Sequence, residues 1–219
     1  METNNRSQQH QPQVVGAVVA VVSKTVQQVS SPACRPKTIM ECRLAERLMT
    51  RFGDRTSFLT KCNPSVQTDF GRNPRACITG EYPTLTDLAI TYGKTMAIQW
   101  LVPQLTDLSI FSGAKNLTLE QLEQLARVIA TAYPWLKVTE LLLFFFRFKT
   151  GRYGRFYGTV DPLVVTTALR EFIEERNALI DQYEREDENK KREQQNALPT
   201  MNYEEWQEYK KKQAVTSET

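Results

Sequence analysis

A chain of 219 residues with 41% hydrophobic and 24% charged side chains has the make-up of one ordinary globular core, with or without tails. Its net charge of +3 is too small to specify a partner, but residues 34–80 hold nine Lys/Arg against four Asp/Glu while residues 171–219 hold eight against thirteen. One histidine (His10), and cysteines at 34, 42, 62 and 77 with no C-x-x-C pair, leave no basis for histidine-dependent chemistry or a structural zinc site.

Residues 1–37 read as a disordered tail containing the valine patch Val14–Val22. That patch is shorter than the ~20 apolar residues of a membrane span. Its flanks carry neither a basic n-region nor a small-residue cleavage site. A strand added to a partner's sheet edge is the alternative, and a start at Met40 would remove the patch. The cysteines are expected to be free thiols of a cytoplasmic protein.

Residues 39–52 place Met40, Leu44, Leu48 and Phe52 at every fourth position, with Ala45 and Met49 beside them. This spacing predicts an amphipathic helix. Residues 53–80 contain Gly53, Pro64, Gly71, Pro74 and Gly80 and show no sustained period, which predicts a basic loop or crossing segment. The core domain is expected over 81–185. Thr84 with Asp87 marks a helix start, and a helical pattern follows to Leu101, where Pro103 kinks it or starts another. Thr118 and Gln121 form a capping box for the next helix, which Pro134 closes.

Thr139 is placed to cap the segment that begins at Glu140. The six apolar residues Leu141–Phe146 predict a buried central helix, with a buried strand as the alternative. Gly151, Gly154 and Gly158 then indicate a tight loop or a short hairpin at 151–158. Asp161-Pro162 opens a helix to about Tyr183, and the all-polar run 184–196 is a solvated extension or disorder. Residues 186–219 form a polar tail with the aromatic segment 202–210. The expected fold is therefore all-α: a compact multi-helix domain with disordered tails.

No G-x-x-x-x-G-K-[ST] occurs, and no cysteine has a histidine partner. The chain is accordingly read as non-enzymatic, with no catalytic residue, metal or cofactor. Two stretches remain as candidate binding sites. Between Leu141 and Val160 there is no acid, while Arg147, Lys149, Arg152 and Arg155 alternate with Phe148, Tyr153, Phe156 and Tyr157. Cations neutralise phosphates and aromatic faces stack on bases, so Arg147, Lys149, Arg152, Tyr153, Arg155, Phe156 and Tyr157 are nucleic-acid-binding candidates. The bland reading is that the rings lock the loop to the core and the cations face water. Near the end, Tyr203, Trp206 and Tyr209 recur every third residue, as partner-binding candidates for a protein groove or as a flap on the domain.

The segments YPTLTDLAITYGKTMAIQWLVPQLTDLSIFSGAKN and LTLEQLEQLARVIATAYPWLKVTELLLFFFRFKTGRYGRFYGTVDPLVVTTALREFIEER resemble, over about Glu81 to Tyr183, an uncharacterised family of small helical proteins of Bacteroidetes genomes, their phages and conjugative elements. The motif FFxRFKxGxYGxFYGxxDP carries the resemblance. A shorter likeness, the turn Ala132-Tyr133-Pro134, is to phage-type helicase loaders. The family resemblance implies an accessory protein of a mobile element with no established activity and transfers no catalytic residue. The helicase-loader likeness implies, by analogy of fold and context, DNA-associated work in replication or helicase loading. The alternative is a protein–protein adaptor acting through its C-terminal aromatic segment, with no nucleic-acid role. No membrane partner is expected, and the sequence leaves the oligomeric state open.

Overall fold

A computed structural model describes residues 38–114, 117–154, 156, 160–197 and 203–216. The expectations for the tail 1–37 and its valine patch lie outside them. The described residues are all-α: they form helices and turns and no strand, apart from the isolated bridge Thr84–Lys137. No described helix is long and apolar enough to cross a membrane. Residues up to Arg176 form one compact unit and those from Asn177 onward a second.

Helix α1 (Ile39–Phe52) starts at a capping box, Thr38 with Glu41. Its buried face is Ala45, Leu48 and Phe52, whereas Met40 is 74% exposed. The predicted helix is present, but its buried face is narrower than the every-fourth-residue stripe: Met40 and Met49 lie off it.

The predicted basic loop at 53–80 is instead a chain of short helices. These are α2 (Arg55–Lys61), a 3-10 turn (Pro64–Val66), α3 (Gln67–Gly71) and α4 (Pro74–Thr79). Each is too short to show a period. Asp54, Asn63 and Asn73 accept backbone N–H bonds that start three of these pieces, and Pro64 and Pro74 stand in their first turns where a missing N–H costs nothing. The pieces contribute Phe58, Cys62, Cys77 and Ile78 to the core.

Helices α5 (Leu85–Tyr92) and α6 (Met96–Ser112) replace the single helical pattern expected to run to Leu101, with Pro103 as its kink or as the start of another helix. The break falls at Gly93, whose φ of 107° few side chains tolerate. Pro103 lies inside α6. The Thr84–Asp87 capping box is present, as is Thr118–Gln121 at the start of α7 (Leu119–Ala132).

The central helix is α8 (Val138–Lys149). Every residue from Val138 to Phe145 is buried, as expected for a helix apolar all round. It packs against α3, α4 and α6. The approach of α3 is close: a Cβ added at Gly71 would lie 2.3 Å from the Phe146 ring. Thr139 does not cap α8, contrary to expectation. It lies within the helix, and its hydroxyl donates to the Cys77 carbonyl at 2.8 Å. The start is set instead by Glu140, whose carboxylate accepts the Lys137 N–H at 2.9 Å.

Helix α9 (Pro162–Ala197) opens at Asp161, whose carboxylate accepts the Leu163 N–H at 2.8 Å. It continues past Tyr183 through the polar run, which is thus the solvated helix extension and not the disordered alternative. Val165, Ala168, Leu169 and Phe172 are its buried residues. Helix α10 (Tyr203–Thr216) covers the aromatic segment.

Candidate functional site

The segment that follows the core run of α8 is held to the rest of its unit by acids far away in sequence. Arg147, in the last turn of α8, donates from Nη1 to Glu175 Oε2 at 2.9 Å, and only 17% of its side chain is exposed. Arg152 donates from Nε to the other oxygen of Glu175 at 2.8 Å. The Tyr153 hydroxyl reaches Glu175 Oε2 at 3.2 Å. One carboxylate of α9 therefore receives three donors from α8 and the turn after it. Lys149 pairs with Asp107 of α6, and its ammonium lies over the Phe111 ring at 5.4 Å.

The rings follow the same plan. Phe148 is 4% exposed. Phe156 stacks on it at 5.2 Å with the planes 16° apart. Tyr153 contacts both Phe144 and Phe148, and burial, with the Glu175 charge next, pushes its phenol up to about 12. The turn itself needs glycine at Gly151 (φ 84°) and Gly154 (φ 93°). Of the seven nucleic-acid candidates, Arg147, Lys149, Arg152, Tyr153 and Phe156 are thus brought together. Arg155 and Tyr157 lie outside the described residues.

Arg147 and Lys149 are bound into ion pairs at low exposure and have little left to offer a ligand. Arg152 differs. Its side chain is 56% exposed, and the Glu175 carboxylate raises its already high pKa further. The two partners that matter, Asp107 and Glu175, were missed by the sequence reading. They sit 42 and 28 positions from Lys149 and Arg147, and no local pattern connects residues so distant.

A second buried ion pair lies beside this cluster. Glu140 is fully buried and accepts from Arg176 Nε at 2.6 Å, while the Arg176 guanidinium covers the Trp135 ring at 5.0 Å. A buried carboxylate persists only when its charge is met by donors, here Arg176 and the Lys137 N–H. These groups are consumed in holding α8 to α9.

Helix α10 shows the opposite arrangement. Tyr203, Trp206 and Tyr209 are 71%, 44% and 51% exposed. Tyr203 and Trp206 stack at 6.0 Å, and Lys210 lies over the Trp206 ring at 4.2 Å. Glu204, Glu205 and Glu208 are exposed among them.

Burial pushes the thiols of Cys62 and Cys77 up to about 11, so both are protonated and poorly nucleophilic at neutral pH. Cys42 is exposed. Among the described residues no three His, Cys, Asp or Glu side chains are grouped as metal ligands.

Residues 116–218 match the model of a family described as a family of unknown function (DUF6633). The match takes in α7 to α10 and leaves out α1 to α6, although Trp100, Leu101 and Leu105 of α6 are among the core residues. Asp107, which fixes Lys149, also lies outside it, whereas Glu175 and the aromatic residues of α10 lie within. No curated protein and no solved structure matches the chain.

Proposed function

We propose that the protein is a non-enzymatic accessory protein that acts as an adaptor, presenting helix α10 to a protein partner. The observation that carries this reading is the exposure of Tyr203, Trp206 and Tyr209 within two turns of one helix. Exposed aromatic residues at this density are what a partner groove would bury, since tyrosine and tryptophan dominate binding hot spots. Exposed Glu204, Glu205 and Glu208 surround the rings, so the complementary partner is an apolar groove with a basic rim. The resemblance noted in the sequence supports a setting in a phage or other mobile element.

The test is affinity purification from the native host with and without nuclease. It compares the full chain with a variant carrying Tyr203→Ala, Trp206→Ala and Tyr209→Ala. The expected result is one partner that survives nuclease and is lost with the triple variant, while circular dichroism shows an unchanged helical content. A triple variant that retains the same partner overturns the reading.

The second reading, a nucleic-acid contact at the turn after α8, keeps one specific observation in its favour. It is the exposed guanidinium of Arg152.

A further inference from the structure

We infer that Arg152 is a phosphate contact for single-stranded nucleic acid, and that Glu175 is the residue that positions it. This goes beyond the adaptor reading, uses none of its residues, and deepens the second one. The quoted motif leaves position 152 open, so the inference concerns this chain.

The geometry of the guanidinium carries it. Arg152 is fixed through Nε, which donates to Glu175 Oε1 at 2.8 Å. The Tyr153 hydroxyl is the other group acting on this guanidinium; no carboxylate or carbonyl of the described residues is bonded to its two terminal nitrogens, and its side chain is 56% exposed. A guanidinium anchored at Nε presents the planar pair of terminal nitrogens that binds two oxygens of a phosphate, with part of the ordering cost met before binding. Glu175 does not repel the incoming anion as a bare carboxylate would, because Arg147, Arg152 and Tyr153 all donate to it.

The surroundings favour a single strand. Phe156 is half-buried and lies flat on Phe148, which is itself packed against Phe144 and Tyr153. Phe156 follows Arg152 by four positions in the chain, and a supported ring close in sequence to a phosphate-binding cation is a combination that single-strand binding uses. Among the described residues, a Cβ placed at Gly151 or Gly154 would meet nothing within 4 Å. Arg147 and Lys149, by contrast, are spent on Glu175 and Asp107 and are assigned no phosphate.

The experiment measures binding of a labelled oligothymidine strand by fluorescence anisotropy across a salt series. It uses the full-length protein and the variants Arg152→Ala, Arg152→Lys and Glu175→Gln, each checked for fold by thermal unfolding. Arg152→Ala is expected to weaken binding about tenfold. It should also lower the slope of log K against log salt by about 0.7, the value of one single-strand phosphate contact. Arg152→Lys keeps the charge but loses the Nε anchor, and it is expected not to restore binding.

Glu175→Gln removes a negative charge, so electrostatics alone would tighten binding, whereas loss of positioning weakens it. Weakening is the expected result. The inference is overturned by absence of binding at low salt, by an unchanged slope in Arg152→Ala, by full rescue in Arg152→Lys, by tighter binding in Glu175→Gln, or by tighter binding of the matching duplex. Should Glu175→Gln fail to fold, the two Arg152 variants decide alone. Every variant keeps α10 intact, so failure here leaves the adaptor reading standing, and the reverse holds for the triple variant.

Discussion

The two aromatic stretches of this protein, 144–156 and 203–209, look alike as strings: rings spaced among charges, five residues apart or closer. In the folded chain they do opposite things. Phe144, Phe145 and Phe148 are buried, and the cations beside them are tied to Asp107 and Glu175. Tyr203, Trp206 and Tyr209 lie open on their helix. The difference is in their charged neighbours. Around the first stretch the acids come from other helices and close over Arg147 and Lys149, leaving Arg152 the exposed cation. Around the second, acids and lysines alternate with the rings on the same short helix. An aromatic-basic pattern is therefore no guide to a binding surface until the source of its counter-charges is known.

The sharpest way to break this contrast is to truncate one ring from each stretch. Phe144→Ala removes a fully buried side chain that touches Phe145, Phe148, Tyr153 and Phe172. It is expected to cost about 3–5 kcal/mol in urea unfolding. A loss below about 1 kcal/mol would mean that the first stretch is not the core element described.

A smaller effect is expected from alkali. The folded-state values of Tyr153, about 12, and of Cys62 and Cys77, about 11, lie above their ordinary values of 10.0 and 9.0. The unfolded chain therefore holds fewer protons than the native one in that range. The stability these groups supply is complete below about pH 9 and falls as pH rises toward about 12. The urea midpoint should decline over that interval, and a flat profile would contradict the burial of these groups.

The smallest expected effect belongs to the second stretch. Trp206→Ala should change stability by no more than about 0.5 kcal/mol, the range of surface substitutions, while partner capture suffers. A large stability loss would place Trp206 in a packed contact and remove the contrast.

Chain order and caps were legible because they are local. Thr84 with Asp87, Thr118 with Gln121, and Asp161-Pro162 each announce a helix start within four residues, and all three are found. Leu141–Phe146 was readable as a central helix because a helix apolar on every side has no stable place except the interior. The short helices of 53–80 were not readable. Five to seven residues span at most two turns, so no apolar period emerges, and tertiary packing holds what propensity alone would not.

By itself, then, the sequence determined an all-α fold, the starts of α1, α5, α7 and α9, the buried α8 and the two stretches worth testing. Only the tertiary structure decided which of them keeps its charges to itself. Glu175 reaches Arg147 across 28 positions, Asp107 reaches Lys149 across 42, and Arg176 reaches Glu140 across 36. Ion pairs of that separation are set by how helices pack, because local spacing constrains only residues within a turn or two of each other.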